Sequence, residues 1–355
     1  MRIGILTGGG DAPGLNAAIR AVVKAAANQQ IETIGFEDGF RGLMEPDRWR
    51  CLTPAAVTGI LRHGGTILGT TNQDNPLAGR TSDGRVRDYS DACVKTFRAL
   101  SLDALIVIGG DGTLAIADAF HKRGVPLVAI PKTIDRDVVE TAATIGFDSA
   151  VTAATEAVDR LHTTAEAHHR IMILEVMGRY TGWIALHAGV AGGADVILIP
   201  EIPFDLERVG QHVVARERLG ARFSIAVVAE GAIPVGGRHT VLEGGSSSTA
   251  ERLGGVGAII ATDLGRLTNR EARSVLLGHL QRGGDPTSVD RILATRFGVK
   301  ALELAVAGQF GMMVALRAGQ LAAVELQNVV GRMNMVPRDS DTVRAARAVG
   351  IEFGG

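Results

Sequence analysis

The chain has 355 residues, 46% of them hydrophobic, and a formal net charge of −1. Length and apolar content support large buried cores divided between two lobes. The balanced charge, with no Lys/Arg block, gives no case for a nucleic-acid or anionic-membrane partner, and no run of about 18 apolar residues suggests a membrane span.

The chain opens on a strand at 2–7, with no charged leader followed by a cleavable apolar run. A Gly-rich turn at 8–16 leads into a helix at 15–27, where Leu15, Ile19, Val22, Val23 and Ala26 form one stripe. Further strands are expected at 31–36, 104–108, 126–130, 171–176, 195–199, 223–229 and 274–278, with helical stretches between them, one of them at 150–161. Alternation of this kind predicts the α/β class, with parallel sheets covered on both faces. Residues 243–249, Glu-Gly-Gly-Ser-Ser-Ser-Thr, read as a surface loop. Lobe boundaries are expected near 137–150 and 250–260. The two cysteines, Cys51 and Cys93, are far apart and fit a reducing compartment. The cytoplasm is the expected location.

Polar clusters follow the strands directly, where ligands bind in open parallel sheets. The first cluster is Gly8-Gly9-Gly10-Asp11-Ala12-Pro13-Gly14-Leu15-Asn16. Its glycines let backbone N–H groups approach phosphate at a helix N-terminus, or else form a plain tight turn; no Gly-Lys-Ser/Thr makes it a P-loop. Second comes Gly109-Gly110-Asp111-Gly112-Thr113. Asp111 is a Mg²⁺ ligand or a helix cap on this pattern alone. In the third, Lys132-Thr133-Ile134-Asp135-Arg136-Asp137, two carboxylates stand beside two cations. Asp135 is the candidate base for a sugar hydroxyl; the alternative is a salt-bridged surface loop. Met177-Gly178-Arg179, with His169-Arg170 before its strand, Glu230-Gly231, and Arg273 with the 278–284 run Gly-His-Leu-Gln-Arg-Gly-Gly complete the set. Arginine forks suit phosphate, and His279 reads as a structural histidine or a phosphosugar ligand.

In this order, GGGDAPGLNAAIR, GGDGT, PKTID, EVMGR and GHLQRGG resemble the ATP- or pyrophosphate-dependent 6-phosphofructokinases, over nearly the whole chain. The resemblance implies two doubly wound α/β lobes with an active-site cleft between them. Residues 1–145 with about 255–310 would bind the donor, and about 146–254 with 311–355 the sugar phosphate. It implies transfer of the ATP γ-phosphoryl group to the C1 hydroxyl of fructose 6-phosphate in glycolysis, giving fructose 1,6-bisphosphate. Gly10, Gly110, Asp111, Gly112 and Thr113 would line the donor phosphates, with Asp111 on Mg²⁺. Thr133 and Asp135 would face the acceptor hydroxyl, Asp135 as base with Asp137 beside it. Lys132 and Arg179 would cancel charge on the transferred group. Met177, Gly178, Arg179 and Glu230 would contact the sugar, and His279 and Arg282 its 6-phosphate. Arg170 and Arg273 would reach that phosphate from a neighbouring subunit of a homotetramer or homodimer.

Donor choice divides two residues. Gly112 leaves room that an Asp would fill, favouring ATP; Lys132 is the residue of pyrophosphate-dependent relatives. The balance favours ATP, with pyrophosphate as the alternative donor. Arg136 stands where many relatives have Asn, and Thr70-Thr71-Asn72-Gln73 where many ATP enzymes place an Arg. An NAD- or lipid-kinase-like reading rests on GGDGT alone. A silent phosphosugar or nucleotide sensor would lack the base or the Mg²⁺ ligand, yet Asp135 and Asp111 are both present.

Overall fold

The computed structural model describes residues 1–45, 47–71, 75–80, 85–243 and 252–355. The expected loop lies outside these residues from 244 onward, as do Asn72 and Gln73. In chain order the elements begin β1 (Arg2–Thr7), α1 (Leu15–Asn28), β2 (Glu32–Phe36), α2 (Arg41–Met44), β3 (Trp49–Cys51), β4 (Gly79–Arg80), β5 (Val86–Arg87) and α3 (Ser90–Ala99). They continue β6 (Ala104–Gly109), α4 (Asp111–Lys122), β7 (Leu127–Pro131), α5 (Phe147–His168), β8 (Ile171–Val176), α6 (Trp183–Ala191) and β9 (Val196–Leu198). Then come α7 (Leu206–Arg218), β10 (Ser224–Ala229), β11 (Val241–Glu243), β12 (Arg252–Leu253), α8 (Val256–Thr268) and β13 (Ala272–Leu276). The last are α9 (Ser288–Val306), β14 (Met312–Arg317), β15 (Gln320–Glu325) and α10 (Asp341–Ala348).

These elements form two compact units. The first, Met1–Ser149 with Arg282–Met333, is built on a seven-stranded sheet of order β15-β14-β7-β6-β1-β2-β3. Its five central strands are parallel, and β3 and β15 flank them antiparallel. Alternate side chains enter two cores. Ile3, Ile5, Ile106, Ile108, Val128 and Ile130 pack under α1 and α9. Leu6, Leu105, Val107, Leu127 and Ala129 pack under α3 and α4. Burial on both faces is why these strands read as continuous apolar runs. Because α1 and α4 leave β1 and β6 toward opposite faces, the carboxyl ends of those adjacent strands form a topological switch point, where such sheets bind ligands.

The second unit, Ala150–Gln281 with Asn334–Gly355, carries a parallel four-stranded sheet of order β13-β8-β10-β9. One face packs Ile171, Ile173, Val196, Leu198, Ala226 and Val228 against Val209 and Val213 of α7 and Val256, Ile260 and Leu264 of α8. A parallel bridge from Val196 to Glu352 lets the C-terminal segment cover the β9 edge. Among the described residues no strand covers the outer edge of β13, whose Val275 and Leu276 are exposed.

Chain division differs from the sequence expectation at two places. Residues 255–281 belong with the second unit, because α8 and β13 pack on β8; residues 311–333 belong with the first, because β14 pairs with β7 and β15 with β14. The last strand of the second unit is also shifted, to 272–276. Its Ala272 pairs with Ile171 and Leu276 with Glu175, and a short 3-10 turn begins at Gly278. Among the described residues no helix is long and apolar enough to cross a membrane.

Candidate active site

In the first unit, three loops meet at the switch point. The Gly8 N–H donates to the Ile108 carbonyl (2.9 Å), tying the β1 loop to β6. Thr113 is buried where side chains on Gly8 and Gly109 would overlap it, so those glycines admit the first turn of α4. Asp111 and Gly112 open α4, whose N-terminal amides form a positive end suited to phosphate. A Cβ on Gly112 would meet no atom within 4 Å.

The loop after β7 brings its charges to the same place. Lys132 is 3% exposed, and its ammonium donates to the Gly10 carbonyl. Arg282 Nη1 donates to the Asp11 carbonyl (2.9 Å) and lies 2.7 Å from where a Gly10 side chain would begin. Two cations therefore clamp the backbone of the first loop. Thr133 Oγ1 accepts from the Asp135 N–H (3.1 Å), and the Thr133 carbonyl accepts from Thr144 (2.8 Å). Arg136 holds a left-handed φ of 53°, rare for a long side chain and easier for Asn, with its guanidinium 5.3 Å from the centre of the Phe147 ring.

Two pKa shifts define the electrostatics. Burial, then the negative charge of Asp137, raises Asp111 above the ordinary carboxylate range. Asp137 Oδ1 is buried without a hydrogen-bond partner. Two carboxylates repelling each other beside a helix N-terminus suit a hard divalent cation that takes its other ligands from phosphate and water. Among the described residues no group of three His, Cys, Asp or Glu makes a dedicated metal cage. Burial, reinforced by Arg282, lowers Lys132 to about 8, while Asp11, Asp137 and Asp135 oppose the shift.

The last residue of the first cluster supports this site from behind. Asn16, 2% exposed, donates to the carbonyls of His63 and Gly64 and accepts from Ile67 N–H (2.8 Å). It orders the segment ending at Thr70, whose hydroxyl donates to the Gly9 carbonyl (2.7 Å). Asn in the first turn of an apolar helix was the available signal.

In the second unit, the carboxyl ends of β8, β10 and β13 gather Met177, Gly178, Arg179 and Glu230. The Glu230 N–H donates to the Val176 carbonyl (2.9 Å) and the Gly231 N–H to that of Gly178 (3.1 Å). Gln281, fully buried, accepts from Met177 N–H (3.3 Å) and donates to the Gly278 carbonyl (3.0 Å), joining the third strand end to the first. Glu175, 2% exposed, caps α8 by accepting from Gly255 and Gly257 N–H (both 2.8 Å). Arg179 lies 5.8 Å from the centre of the Tyr180 ring, and His279 is exposed on the 3-10 turn.

Arg170 and Arg273 are not part of that group. Both bind Glu271, at 2.8 and 2.7 Å, and their hydrogen bonds hold its carboxyl below the usual range, Arg170 first. Arg273 pairs in register with Met172, five residues before Met177 on β8, or about 16 Å away along a strand.

Comparisons with known proteins identify the family. The family model described as Phosphofructokinase matches residues 2–305. The chain belongs to the phosphofructokinase family. A relative from Chloroflexus aurantiacus named ATP-dependent 6-phosphofructokinase is 53% identical over 353 residues, covering 99% of this chain and 98% of that protein. An ATP-dependent 6-phosphofructokinase 2 from Clostridium perfringens is 48% identical, with coverage of 99% and 98%. Among solved structures, the Pichia pastoris phosphofructokinase in the T-state matches with a TM-score of 0.81 and 30% identity; the match covers 98% of this chain but spans only 36% of that one. A pyrophosphate-dependent phosphofructokinase from Nitrosospira multiformis, 20% identical, shares the fold with a TM-score of 0.82, covering 100% of this chain and 92% of that one. The fold expected from the motifs is thereby confirmed.

Proposed function

We propose that this phosphofructokinase-family chain transfers the γ-phosphoryl group of ATP to the C1 hydroxyl of fructose 6-phosphate, giving fructose 1,6-bisphosphate. The observation carrying this reading is the meeting of the Gly-rich β1 loop, the α4 N-terminus and the Asp135 loop in one place, with Lys132 donating to Gly10. Space beside Gly112 supports a nucleotide donor, as do the names of the relatives at 53% and 48% identity.

Each group has a physical task. The α4 N-terminus and the β1 loop bind and orient the donor phosphates. Asp135 takes the proton of the acceptor hydroxyl. Lys132 and Arg179 cancel charge on the transferred group. Mg²⁺ would be held by Asp111, with Asp137 nearby, and would neutralise phosphate oxygens. Met177, Gly178, Arg179, Glu230, His279 and Arg282 bind the sugar phosphate; in this structure Arg282 is engaged with the Asp11 carbonyl.

Separation of Arg170 and Arg273 from the Met177–Glu230 group supports their serving a neighbouring subunit's sugar phosphate in a homodimer or homotetramer. The β13 edge, which no described strand covers, with exposed Val275, Leu276 and Leu280, supports such an assembly. Cytoplasmic location completes the proposal; its support is two free cysteines, Cys93 of them buried.

A coupled assay with fructose 6-phosphate, Mg²⁺ and either ATP or pyrophosphate tests the reading. Turnover is expected with ATP; turnover with pyrophosphate alone would overturn the donor, and none with either would overturn the reaction. The same assay reads the Lys132 charge. Its pKa of about 8 means that the cation is present below that pH and lost above it. kcat/KM for ATP should therefore fall as the pH rises through 8 to 9, while Lys132→Arg, which keeps its charge, should carry the plateau higher. A wild-type profile flat to pH 9.5 would remove Lys132 from the reaction.

A further inference from the structure

Asp290 lies in the first turn of α9, 1% exposed, in a segment to which no site role has been given. Its Oδ1 accepts from the Gly146 N–H (2.9 Å), and its Oδ2 from both the N–H (2.9 Å) and the hydroxyl (2.6 Å) of Ser149. These donors belong to the N-terminus of α5. An ordinary cap is local, as where Asp205 accepts from Glu207 N–H and Ser340 from Val343 N–H. Asp290 instead caps a helix that begins more than 140 residues earlier in the chain.

The capping is reciprocal. Thr287, the cap of α9, accepts from Asp290 N–H (3.3 Å) and donates to Asp148 (2.6 Å), while its own N–H donates to the Ser149 hydroxyl (3.1 Å). Two helix starts are locked together. Burial raises the Asp290 pKa, and the three donors oppose that shift, as expected of a carboxylate fixed by charge-assisted hydrogen bonds.

Gly146 transmits this anchor forward. It holds a left-handed φ of 99° in close packing: an added Cβ would be 2.6 Å from Ala12 Cβ, 3.3 Å from Ile134 Cγ2 and 3.5 Å from the Pro13 carbonyl. Its neighbour Ile145 packs equally close to Gly14, whose added Cβ would be 2.6 Å from Ile145 Cγ2. Ala12, Pro13 and Gly14 belong to the phosphate loop, and Ile134 lies between Thr133 and Asp135. A shift of Gly146 therefore moves both loops. The interior is too densely packed to absorb it.

We propose that Asp290 is a positioning residue for phosphoryl transfer, fixing through Gly146 the backbone on which the donor loop and the Asp135 loop rest. This deepens the kinase reading and depends on it. The test is a cycle of Asp290→Asn, Asp135→Asn and the double variant, each checked for a cooperative thermal transition. Asp290→Asn keeps the shape but turns an amide donor toward the N–H of either Gly146 or Ser149. Its kcat should fall about 10–100-fold with both KM values changed less than about threefold, the signature of lost alignment. In the Asp135→Asn background the same change should cost at least about threefold less than in the wild type, because the share of the loss due to the misplaced base is already absent. A kcat within threefold of wild type, or equal losses in both backgrounds, would overturn the proposal. Should Asp290→Asn not fold, Ser149→Ala removes one donor and leaves the Gly146 bond. It should lose about three- to tenfold, and less when Asp135 is absent; equal loss in both backgrounds, or none, would overturn the proposal. A wild type inactive with fructose 6-phosphate and ATP would instead overturn the kinase reading.

Discussion

Asp135→Asn should lower kcat by about 10²–10⁴-fold, the usual span of a general base, with the thermal transition and both KM values nearly unchanged. The side chain is half-buried, in a loop held by its own N–H donating to Thr133 Oγ1 (3.1 Å) and by Thr144 donating to the Thr133 carbonyl (2.8 Å). Neither contact uses the carboxylate, so Asn can keep the backbone. It cannot accept the proton that the acceptor hydroxyl must lose. On the free-energy scale the loss is about 2.7–5.5 kcal/mol of transition-state stabilisation. Steady-state kinetics on the folded variant checks it, and a loss under tenfold would exclude Asp135 as the base.

Gly231→Ala should be the most damaging small substitution in the second unit. The methyl would land on the Arg179 carbonyl oxygen, 2.6 Å from that carbonyl's carbon and 2.9 Å from the Gly178 oxygen. These are backbone atoms, so no rotamer relieves the overlap, and separating the two loops also costs the Gly231 N–H to Gly178 hydrogen bond. Overpacking at about 1–3 kcal/mol and a net hydrogen bond near 1 kcal/mol give an expected destabilisation of about 2–4 kcal/mol. Because Met177, Gly178, Arg179 and Glu230 move with this contact, KM for fructose 6-phosphate should rise at least about tenfold, or 1.4 kcal/mol. Urea unfolding and sugar-phosphate titration check the two parts. Wild-type stability in this variant would show that the close approach of these two loops is not needed.

Much of the fold was legible because its strands are buried on two faces. A run such as Ala-Leu-Ile-Val-Ile at 104–108 leaves little choice of structure. Strand β13 was harder. Among the described residues it pairs on one side only and exposes Arg273, Ser274, Val275 and Leu276, so the apolar Val-Leu-Leu run drew the expected strand two residues too far along. Helix α5 begins at 147 rather than 150 because its start is set by Asp290, a tertiary partner invisible to local patterning. The same reason hid the supporting residues of the site. Gly-rich loops and paired charges announce themselves in sequence, whereas Glu175 and Asp290 look like isolated polar residues until their distant backbone partners are known, and the supporting role of Asn16 shows only through its own. The first lobe boundary, expected near 137–150, falls between residues 149 and 150; the later ones failed likewise, since only strand pairing assigns β14 to β7 and β13 to β8.

The interleaving of the two units has a consequence for synthesis on the ribosome. The first 149 residues cannot finish their unit as they emerge, because α9, β14 and β15 arrive only with residues 282–333. Until then β7 has a bare edge, and the face of α1 that α9 covers has no partner. At about 5–20 residues per second, the intervening 132 residues (282 minus 150) postpone closure by roughly 7–26 seconds. Nascent chains paused between residues 150 and 281 should therefore be the ones that engage chaperones. Neither unit could be lifted out as a continuous gene fragment, so loss or transfer of one half by simple truncation is closed to this protein.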